Sequence, residues 1–391
     1  MRGRLAPHQT RDSVRWCGRK MLGPTVAVLP GSGDGEVGAG FGGLVTCGSV
    51  WVCPVCAGKI AAERVQELSH VLNWAVDQGK TIAMVTLTMR HKGKSGRLAK
   101  AWDGATAGWS SITSGGGWKS ESEEKYADRL AAWYAKPPSK RRRKPVRRIG
   151  AAEEYGVTGW VKAVEATHGK NGWHVHVHAI MILDDVVSDS RLQEFGNCLF
   201  ARWERGLAKK GYTALRDSGG LDVTRITAGE DLAPYLVKMA AVEATTGGFK
   251  EGRGENRTPF QIAQDLIDTG EARDQQLWLE WSEGSLGRRQ MGWSVGLRKA
   301  AGLGAAKTDE EIADERVMGD AEVFIFRDDW RNRVRDDYDL QDSILEVIQT
   351  RGAARLHDYL SWIGIEHAYH PSPPPEPDQE NTGPPIVRHE E

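Results

Sequence analysis

The sequence predicts an α+β fold, and three observations carry this prediction. Residues 81–88 alternate in hydrophobicity and are rich in β-branched side chains, which is typical of a strand. Residues 159–183 resemble two strands around a turn at Asn171-Gly172. Apolar residues recur at helical spacing over 57–78 and 190–210. Because 391 residues exceed the usual size of one compact core, we expect two domains plus extensions.

The remaining elements follow from the same patterns. The Gly-rich residues 23–43 lack periodicity and predict a loop. Residues 114–150 include the Pro-broken tract Lys136–Arg148, which predicts a basic, mobile insertion. We also expect helices over 97–113 and 230–243, a strand over 221–227, helix-rich regions over 258–300 and 308–362, and a disordered Pro-rich acidic tail over 371–391.

The net charge of −1 hides a gradient along the chain. Residues 1–150 carry 25 Lys and Arg against 11 Asp and Glu, whereas residues 301–391 carry 9 against 21. A basic front half and an acidic end favour a protein that contacts phosphates with one part only, although uneven surface charge without a ligand explains the same numbers. No run of about eighteen apolar residues and no signal-peptide pattern occur, so we expect a cytoplasmic protein without a membrane segment.

Four of the five cysteines lie in the first 56 residues. Cys53-Pro-Val-Cys56 has the CxxC spacing that brings two thiolates to one metal ion, and Cys17 and Cys47 precede it. We expect these four residues to hold a structural Zn²⁺ ion. A redox-active CxxC pair is the alternative, but it leaves the other two cysteines without a role. Cys198 falls in a helical pattern and is expected to be a small buried apolar residue.

The segment Gly172-Trp-His-Val-His-Val-His178 is the strongest signal for a functional site. In a strand, His174, His176 and His178 project from one face, with neighbouring imidazoles roughly 6–7 Å apart. A chance run of surface histidines is the alternative. If the hairpin turns at residues 170–171, Glu165 faces His176. Two imidazoles and a carboxylate suit Mn²⁺ or Mg²⁺ with open positions for a phosphate oxygen; Glu165 as a solvated strand residue is the alternative.

The helix predicted over 230–243 places Asp231, Tyr235 and Lys238 on one face. Pro234 disturbs that geometry unless the helix begins beside it. A tyrosine near a divalent cation and a lysine can act as a nucleophile, because both charges favour the phenolate. The tyrosine–lysine spacing is common by itself and becomes informative only beside the histidine strand.

These motifs, taken in order, make the chain resemble the HUH endonucleases that initiate rolling-circle replication of small plasmids. The matching motifs are the cysteine cluster, the Thr86-Leu-Thr88 strand, the Trp173–His178 strand and Tyr235-Leu-Val-Lys238. The stretch Gly287–Leu297 also resembles initiators of actinobacterial plasmids. The resemblance covers roughly residues 15 to 300.

The resemblance implies a metal-dependent nickase and strand transferase that leaves a 5′-phosphotyrosine link and a 3′-OH primer. His176 and His178 would be metal ligands with His174 accessory, and Tyr235 would be the nucleophile beside Lys238. In the closest subgroup a glutamate four residues before the tyrosine activates water. This sequence has Asp231 there, with Glu230 adjacent, so either carboxylate is a candidate. The partners would be plasmid origin DNA and the host helicase and DNA polymerase.

The expected nuclease domain has a mainly antiparallel sheet of about five strands, with the histidines central and Tyr235 on a helix beside it. We expect a zinc-binding module over 1–60, this domain over 61–250, a helical origin-binding region over 251–365 and the tail over 366–391. The candidate DNA contacts, each of which could instead be a solvated charge, are Lys140, Arg141, Arg142, Arg143, Lys144, Arg288 and Arg289.

Three other functions account for part of the pattern. A conjugative relaxase or transposase of the same HUH group shares the metal strand, but the cysteine cluster and Thr86-Leu-Thr88 match plasmid initiators better. A zinc-containing DNA-binding regulator without catalysis leaves the histidine strand and Tyr235 unexplained. A histidine-metal hydrolase of small molecules leaves the basic front half unexplained.

Overall fold

The computed structural model of the protein describes residues 2–9, 11–31, 38–90, 97–184, 186–227, 256–314 and 321–371. It contains two compact units, which we call the first unit (Met1–Cys17 with Thr46–Glu315) and the second unit (Gly18–Val45 with Arg316–Glu391). The four-part domain division expected from the sequence stays a prediction. The helix expected over 230–243 and residues 372–391 of the expected tail lie outside the described residues, whereas His367–Tyr369, at the start of the tail expected over 366–391, form a strand.

The α+β class predicted from the sequence is confirmed. The longer helices are α1 (Pro54–Asp77), α2 (Leu98–Thr113), α3 (Glu123–Tyr134), α4 (Asp189–Ala208), α5 (Pro259–Thr269), α6 (Ala272–Gly284) and α7 (Tyr338–Trp362). The strands are β1 (Thr25–Leu29), β2 (Gly40–Gly42), β3 (Thr81–Thr88), β4 (Val157–Gly169), β5 (Gly172–Leu183), β6 (Leu221–Ile226), β7 (Met291–Trp293), β8 (Val323–Phe326) and β9 (His367–Tyr369). Shorter helical segments lie at Arg2–Leu5, Asp12–Arg15, Ala151–Glu154, Leu297–Ala300, Asp309–Asp314, Arg327–Asp329 and Trp330–Val334. Within the described residues, no helix combines the length and apolarity needed to cross a bilayer.

A five-stranded antiparallel sheet forms the centre of the first unit, in the order β6-β3-β5-β4-β7. The histidine strand β5 is the middle strand, as expected. β4 and β5 form a hairpin whose last pair is Gly169 with Gly172, which leaves Lys170 and Asn171 as the turn. Gly172 has φ 87°, a conformation that glycine adopts without strain. The Asn-Gly signal therefore located this turn to within one residue.

The two faces of this sheet meet different parts of the first unit. Val175 and Val177 belong to the main core, together with apolar residues of α2, α4, α5 and α6. Ile180 and Ile182 face the other way and share a second core with Leu72 of α1. Because side chains alternate along a strand, the three histidines continue the row of Ile180 and Ile182. This face is thus apolar under α1 and polar toward the hairpin turn.

The second unit contains a sheet that the sequence patterns did not predict, in the order β2-β1-β8-β9. The loop expected over 23–43 is wrong for β1 and β2. Val26 and Val28 of β1 are fully buried, in one core with Ile344 and Leu360 of α7. The β-branched run Thr25–Leu29 is short, and the surrounding glycines obscured it. α7 itself breaks at Gly352, where φ is 78°.

The insertion over 114–150 is not irregular throughout. Residues 123–134 form α3, a helix that the sequence patterns did not predict. The Ser122 hydroxyl caps this helix by accepting a hydrogen bond from the backbone N–H of Lys125. Tyr126, Leu130 and Tyr134 recur at helical spacing along α3, although none of its residues is buried.

Candidate functional site

Glu165 lies directly opposite His176 in the β4–β5 hairpin, in the register expected from the position of the turn. Its Oε2 atom lies 3.0 Å from Nε2 of His178, one place further along the same face. The His178 and Glu165 side chains are 9% and 26% exposed, so the pair is sheltered but reachable from solvent. The hairpin therefore brings together the carboxylate and the imidazoles that the sequence singled out.

Two threonines of β3 bind the other side of these imidazoles. Thr86 pairs with His178, and Thr88 pairs with His176, across antiparallel strands. The Thr86 hydroxyl lies 3.1 Å from Nδ1 of His178, and the Thr88 hydroxyl lies 3.0 Å from Nδ1 of His176. Because Nδ1 of each ring is engaged, Nε2 is the atom through which either ring would bind a metal ion. Thr86 and Thr88 belong to a motif found in the sequence, but their contacts with the imidazoles were not predicted, although their i, i+2 spacing matches that of the histidines.

The three imidazoles form a row along the strand. His176 and His178 stack nearly parallel, with ring centroids 6.0 Å apart and an interplanar angle of 8°. His174 lies closer to His176, at 3.9 Å between centroids with the rings inclined by 62°. His174 is thus a direct neighbour of His176, which is consistent with an accessory position in the same site.

The donor atoms of this site suit a divalent cation, but they do not converge on one metal position. Imidazole nitrogens with a carboxylate oxygen form a borderline-hard set that accepts Mn²⁺ or Mg²⁺. In the part of the chain that the structure describes, only the four cysteines place three or more potential ligand atoms within 4.8 Å of one another. The histidine site therefore has suitable donors in an open arrangement, and its metal assignment stays a prediction.

One further carboxylate, that of Asp222, lies on the histidine face of the sheet. Asp222 of β6 pairs with Thr86, so its side chain points to the same side of the sheet, where it is exposed.

The expected nucleophile and its neighbours lie outside the described residues: Tyr235, Lys238, Asp231 and Glu230. Arg257 then pairs with His168, near the end of β4. The described chain therefore resumes beside the hairpin that carries the histidines.

Cys17, Cys47, Cys53 and Cys56 gather into one cluster in the first unit. The Sγ–Sγ distances are 3.5 Å for Cys17–Cys56, 3.5 Å for Cys17–Cys53 and 3.7 Å for Cys47–Cys56. Tetrahedral Zn²⁺ with bonds of 2.3 Å requires sulfur atoms about 3.8 Å apart. The four thiols fit a closed structural zinc site, whereas a redox pair requires only two of them.

Helix α1 connects the cysteine cluster to the five-stranded sheet. Cys53 is the residue before the helix, Pro54 begins it, and Cys56 lies in its first turn. Further along, Leu72 of α1 packs in the core under the sheet. Hydrogen bonds from the neighbouring thiols, that of Cys17 first, lower the pKa of Cys56 well below the usual value for a thiol. Such a thiolate is the form that binds a metal ion.

The basic residues expected to contact DNA have different surroundings. The Arg288 guanidinium donates to the Gly284 carbonyl at 2.7 Å and to Asp103 at 3.0 Å, and it lies over the ring of Trp102. Those contacts engage it within the protein, whereas Arg289 is exposed. In the basic tract, Arg141 is half-buried, and the exposed residues are Lys140, Arg142, Arg143 and Lys144.

A central histidine strand with an opposed glutamate, together with a four-cysteine cluster, is the combination that the motifs predicted for a Rep-type protein. The chain is 27% identical over 357 residues to "Protein rep" of Streptomyces lividans, covering 76% of this chain and 74% of that protein. This match confirms the resemblance to Rep proteins.

Two other similarities are narrower. The "Neomycin resistance protein" of Streptomyces cyanogenus is 32% identical over 143 residues, which are 36% of this chain and 31% of that protein. Among solved structures, the N-terminal nuclease domain of the minute virus of mice non-structural protein-1 matches 42% of this chain and 74% of that chain. Its identity is 17% and its TM-score is 0.17, so this likeness supports no conclusion. No protein-family model matches the chain.

Proposed function

We propose that this protein initiates rolling-circle replication of a plasmid by nicking single-stranded DNA at the origin with Tyr235. The observation that carries the proposal is the pairing of Glu165 with the histidine strand, with a threonine hydroxyl on Nδ1 of His176 and of His178. The similarity to a Rep protein over three quarters of the chain supports the same function. Exposed surface histidines without a ligand would not need these hydroxyl and carboxylate partners.

His176, His178 and Glu165 would hold Mn²⁺ or Mg²⁺, with His174 as an accessory ligand. When bound, the ion would polarise the scissile phosphate and stabilise its added negative charge. The threonine hydroxyls hold each imidazole in one orientation, as partners of metal-binding histidines commonly do. The core under α1 holds the strand in place, so the ligands project from a rigid element.

Tyr235 would attack the phosphorus atom of the scissile bond. A bond forms between the tyrosine oxygen and phosphorus, and the bond from phosphorus to the 3′-oxygen breaks. The phenol loses its proton, and the leaving 3′-oxygen gains one to become the 3′-OH that primes the host polymerase. Lys238 would stabilise the phenolate or orient the phosphate through its positive charge. A host helicase would separate the strands ahead of synthesis.

The closing cut would release the protein from the 5′ end. Asp231 or Glu230 would activate a water molecule to hydrolyse the phosphotyrosine, or a strand 3′-OH would attack it and rejoin the DNA. The cysteine cluster would bind Zn²⁺ as a structural ion, because all four positions of a tetrahedron are taken by sulfur. The protein needs no further cofactor for these steps.

The test is cleavage of labelled single-stranded DNA that tiles the plasmid origin, in the presence of Mn²⁺. The wild-type protein is expected to cut at one position, and His176→Ala/His178→Ala is expected to lose cutting while it keeps DNA binding. His357→Ala/His367→Ala, which alters a histidine pair of the second unit, is the control and should cut normally. Binding by the wild-type protein without any cut across the origin would sink the nicking function and favour a DNA-binding regulator.

A further inference from the structure

We propose that residues 123–149 form a rigid basic finger whose tip holds the backbone of duplex DNA. The finger consists of α3 and the returning segment 135–149. This inference rests on the proposed function, because it assigns the contact to DNA beside the nick site. It deepens that function by naming the form of DNA bound and the side chains that bind it.

Helix α3 stands apart from the core, and specific contacts hold the returning segment against it. The Trp133 Nε1–H donates to the carbonyl of Arg142 at 2.8 Å. The Arg129 guanidinium donates to the carbonyl of Val146 at 2.8 Å. Since none of the helix residues is buried, these polar contacts determine the position of the returning segment. The finger is therefore an ordered projection.

Carboxylates at the base of the finger pair with its lower arginines. Glu121 is only 8% exposed and accepts two hydrogen bonds of 2.7 Å from Arg129. Arg147 donates two hydrogen bonds to Glu153, at 2.6 and 2.9 Å. Bidentate pairs of this kind fix geometry as well as charge. The base is therefore neutralised internally, and its arginines are engaged in holding the finger.

The tip carries the opposite arrangement. Lys140, Arg142, Arg143 and Lys144 are exposed, and within the described residues no carboxylate lies at ion-pair distance from any of them. The contrast with the neutralised base is what distinguishes this tip from an ordinary solvated charge run. Four like charges at one point repel each other, and a polyanion relieves that repulsion.

The aromatic residues of the finger favour duplex DNA over a single strand. Proteins that bind single strands use aromatic faces on which bases stack. Here the Arg141 guanidinium lies 5.2 Å from the ring centre of Trp133 and 5.7 Å from that of Tyr134. The Lys144 ammonium lies 5.7 Å from the same tyrosine ring. Cations therefore occupy the faces that bases would need, which leaves phosphate contact as the chemistry of the tip.

The test is the salt dependence of binding to a labelled duplex of random sequence. For duplex DNA, the slope of log K against log salt changes by about 0.9 for each phosphate contact. The variant Lys140→Gln/Arg142→Gln/Arg143→Gln/Lys144→Gln is therefore expected to reduce the magnitude of the slope by roughly 3 to 4. Its fold should be kept, because the contacts at 142 and 146 use backbone carbonyls.

The control removes four exposed lysines from α1, α2 and the end of α4: Lys59→Gln/Lys100→Gln/Lys209→Gln/Lys210→Gln. Its slope should equal that of the wild-type protein. Equal slopes for the tip variant and the control would overturn the finger proposal. The same result is expected if the tip binds an acidic protein instead of DNA. Tyr235→Phe should keep the wild-type slope. If Tyr235→Phe keeps that slope and the wild-type protein does not nick DNA, the nicking function fails and the finger assignment stands.

Discussion

The carboxylate of Glu165 lies 3.0 Å from the imidazole of His178, although the two residues are 13 positions apart on opposite sides of a two-residue turn. Thr86 binds the other nitrogen of the same ring from the strand on its opposite side. The ring is thus held between two neighbouring strands of one sheet. Such a ring has one orientation before any ligand arrives, which lowers the cost of assembling a site.

Replacing Glu165 by Gln should weaken metal binding more than DNA binding. The change keeps the side-chain size but removes the negative charge that a divalent cation requires. We expect the Mn²⁺ concentration for half-maximal nicking to rise roughly 10- to 100-fold. Glu154→Gln, at an exposed position in the same unit, is the matched control. An unchanged Mn²⁺ requirement for Glu165→Gln would remove this residue from the site.

The Thr88 hydroxyl should act through His176. Thr88→Val keeps the β-branched shape and removes the hydroxyl at 3.0 Å from Nδ1. We expect a metal affinity roughly 10-fold lower or more, with most of the nicking rate restored at saturating Mn²⁺. Thr88→Ser retains the hydroxyl and should behave as the wild-type protein does. If Thr88→Val and Thr88→Ser behave alike, the hydroxyl has no part in orienting the ring.

Loss of one thiol from the cysteine cluster should release zinc and destabilise the protein. The wild-type protein should contain one Zn²⁺ per chain, measured by elemental analysis. Cys53→Ser should lose the ion and lower the Tm by roughly 10 °C, because binding energy at a structural site is folding energy. Cys198→Ser alters the cysteine in α4, far along the sequence, and should retain the ion. A wild-type protein without zinc would contradict the assignment.

Glu121 should keep the basic finger ordered over a wide pH range. Its hydrogen bonds with Arg129 lower its pKa to about 2, from about 4.3 for a free glutamate. Because the pKa is lower in the folded state, the ionised carboxylate stabilises the fold above pH 4, and this stabilisation is lost as the pH falls toward 2. Hydrogen exchange in residues 141–149 should therefore show constant protection from pH 5 to 8.

Glu121→Gln should reduce that protection at every pH, whereas Glu124→Gln on the exposed side of α3 should not. The reason is that an amide cannot make the charged bidentate pair with Arg129. Equal protection in both variants would show that other contacts hold the finger. Duplex binding by Glu121→Gln should weaken only moderately, since the tip charges remain.

Local patterns predicted the site better than the architecture around it. The alternating strand and the Asn171-Gly172 turn define the hairpin register, so the pairing of Glu165 with His176 follows from neighbouring residues. The second sheet pairs Thr25 with Phe326, about three hundred positions apart, and no local pattern encodes such a pairing. Helix α3 has Tyr126, Leu130 and Tyr134 at helical spacing, but none of its residues is buried, and the sequence patterns did not lead to its prediction. Tyr235 remains a prediction from motif order alone.

The proposed nicking requires that Tyr235 become covalently linked to DNA, and this link can be trapped and identified. The protein would be incubated with Mn²⁺ and single-stranded origin DNA, digested with nuclease and protease, and analysed by mass spectrometry. We expect one modified peptide with a 5′-phosphonucleotide on Tyr235, absent in Tyr235→Phe and present in Tyr338→Phe. Nicked DNA without any protein-linked nucleotide, or a link to another tyrosine, would contradict this expectation.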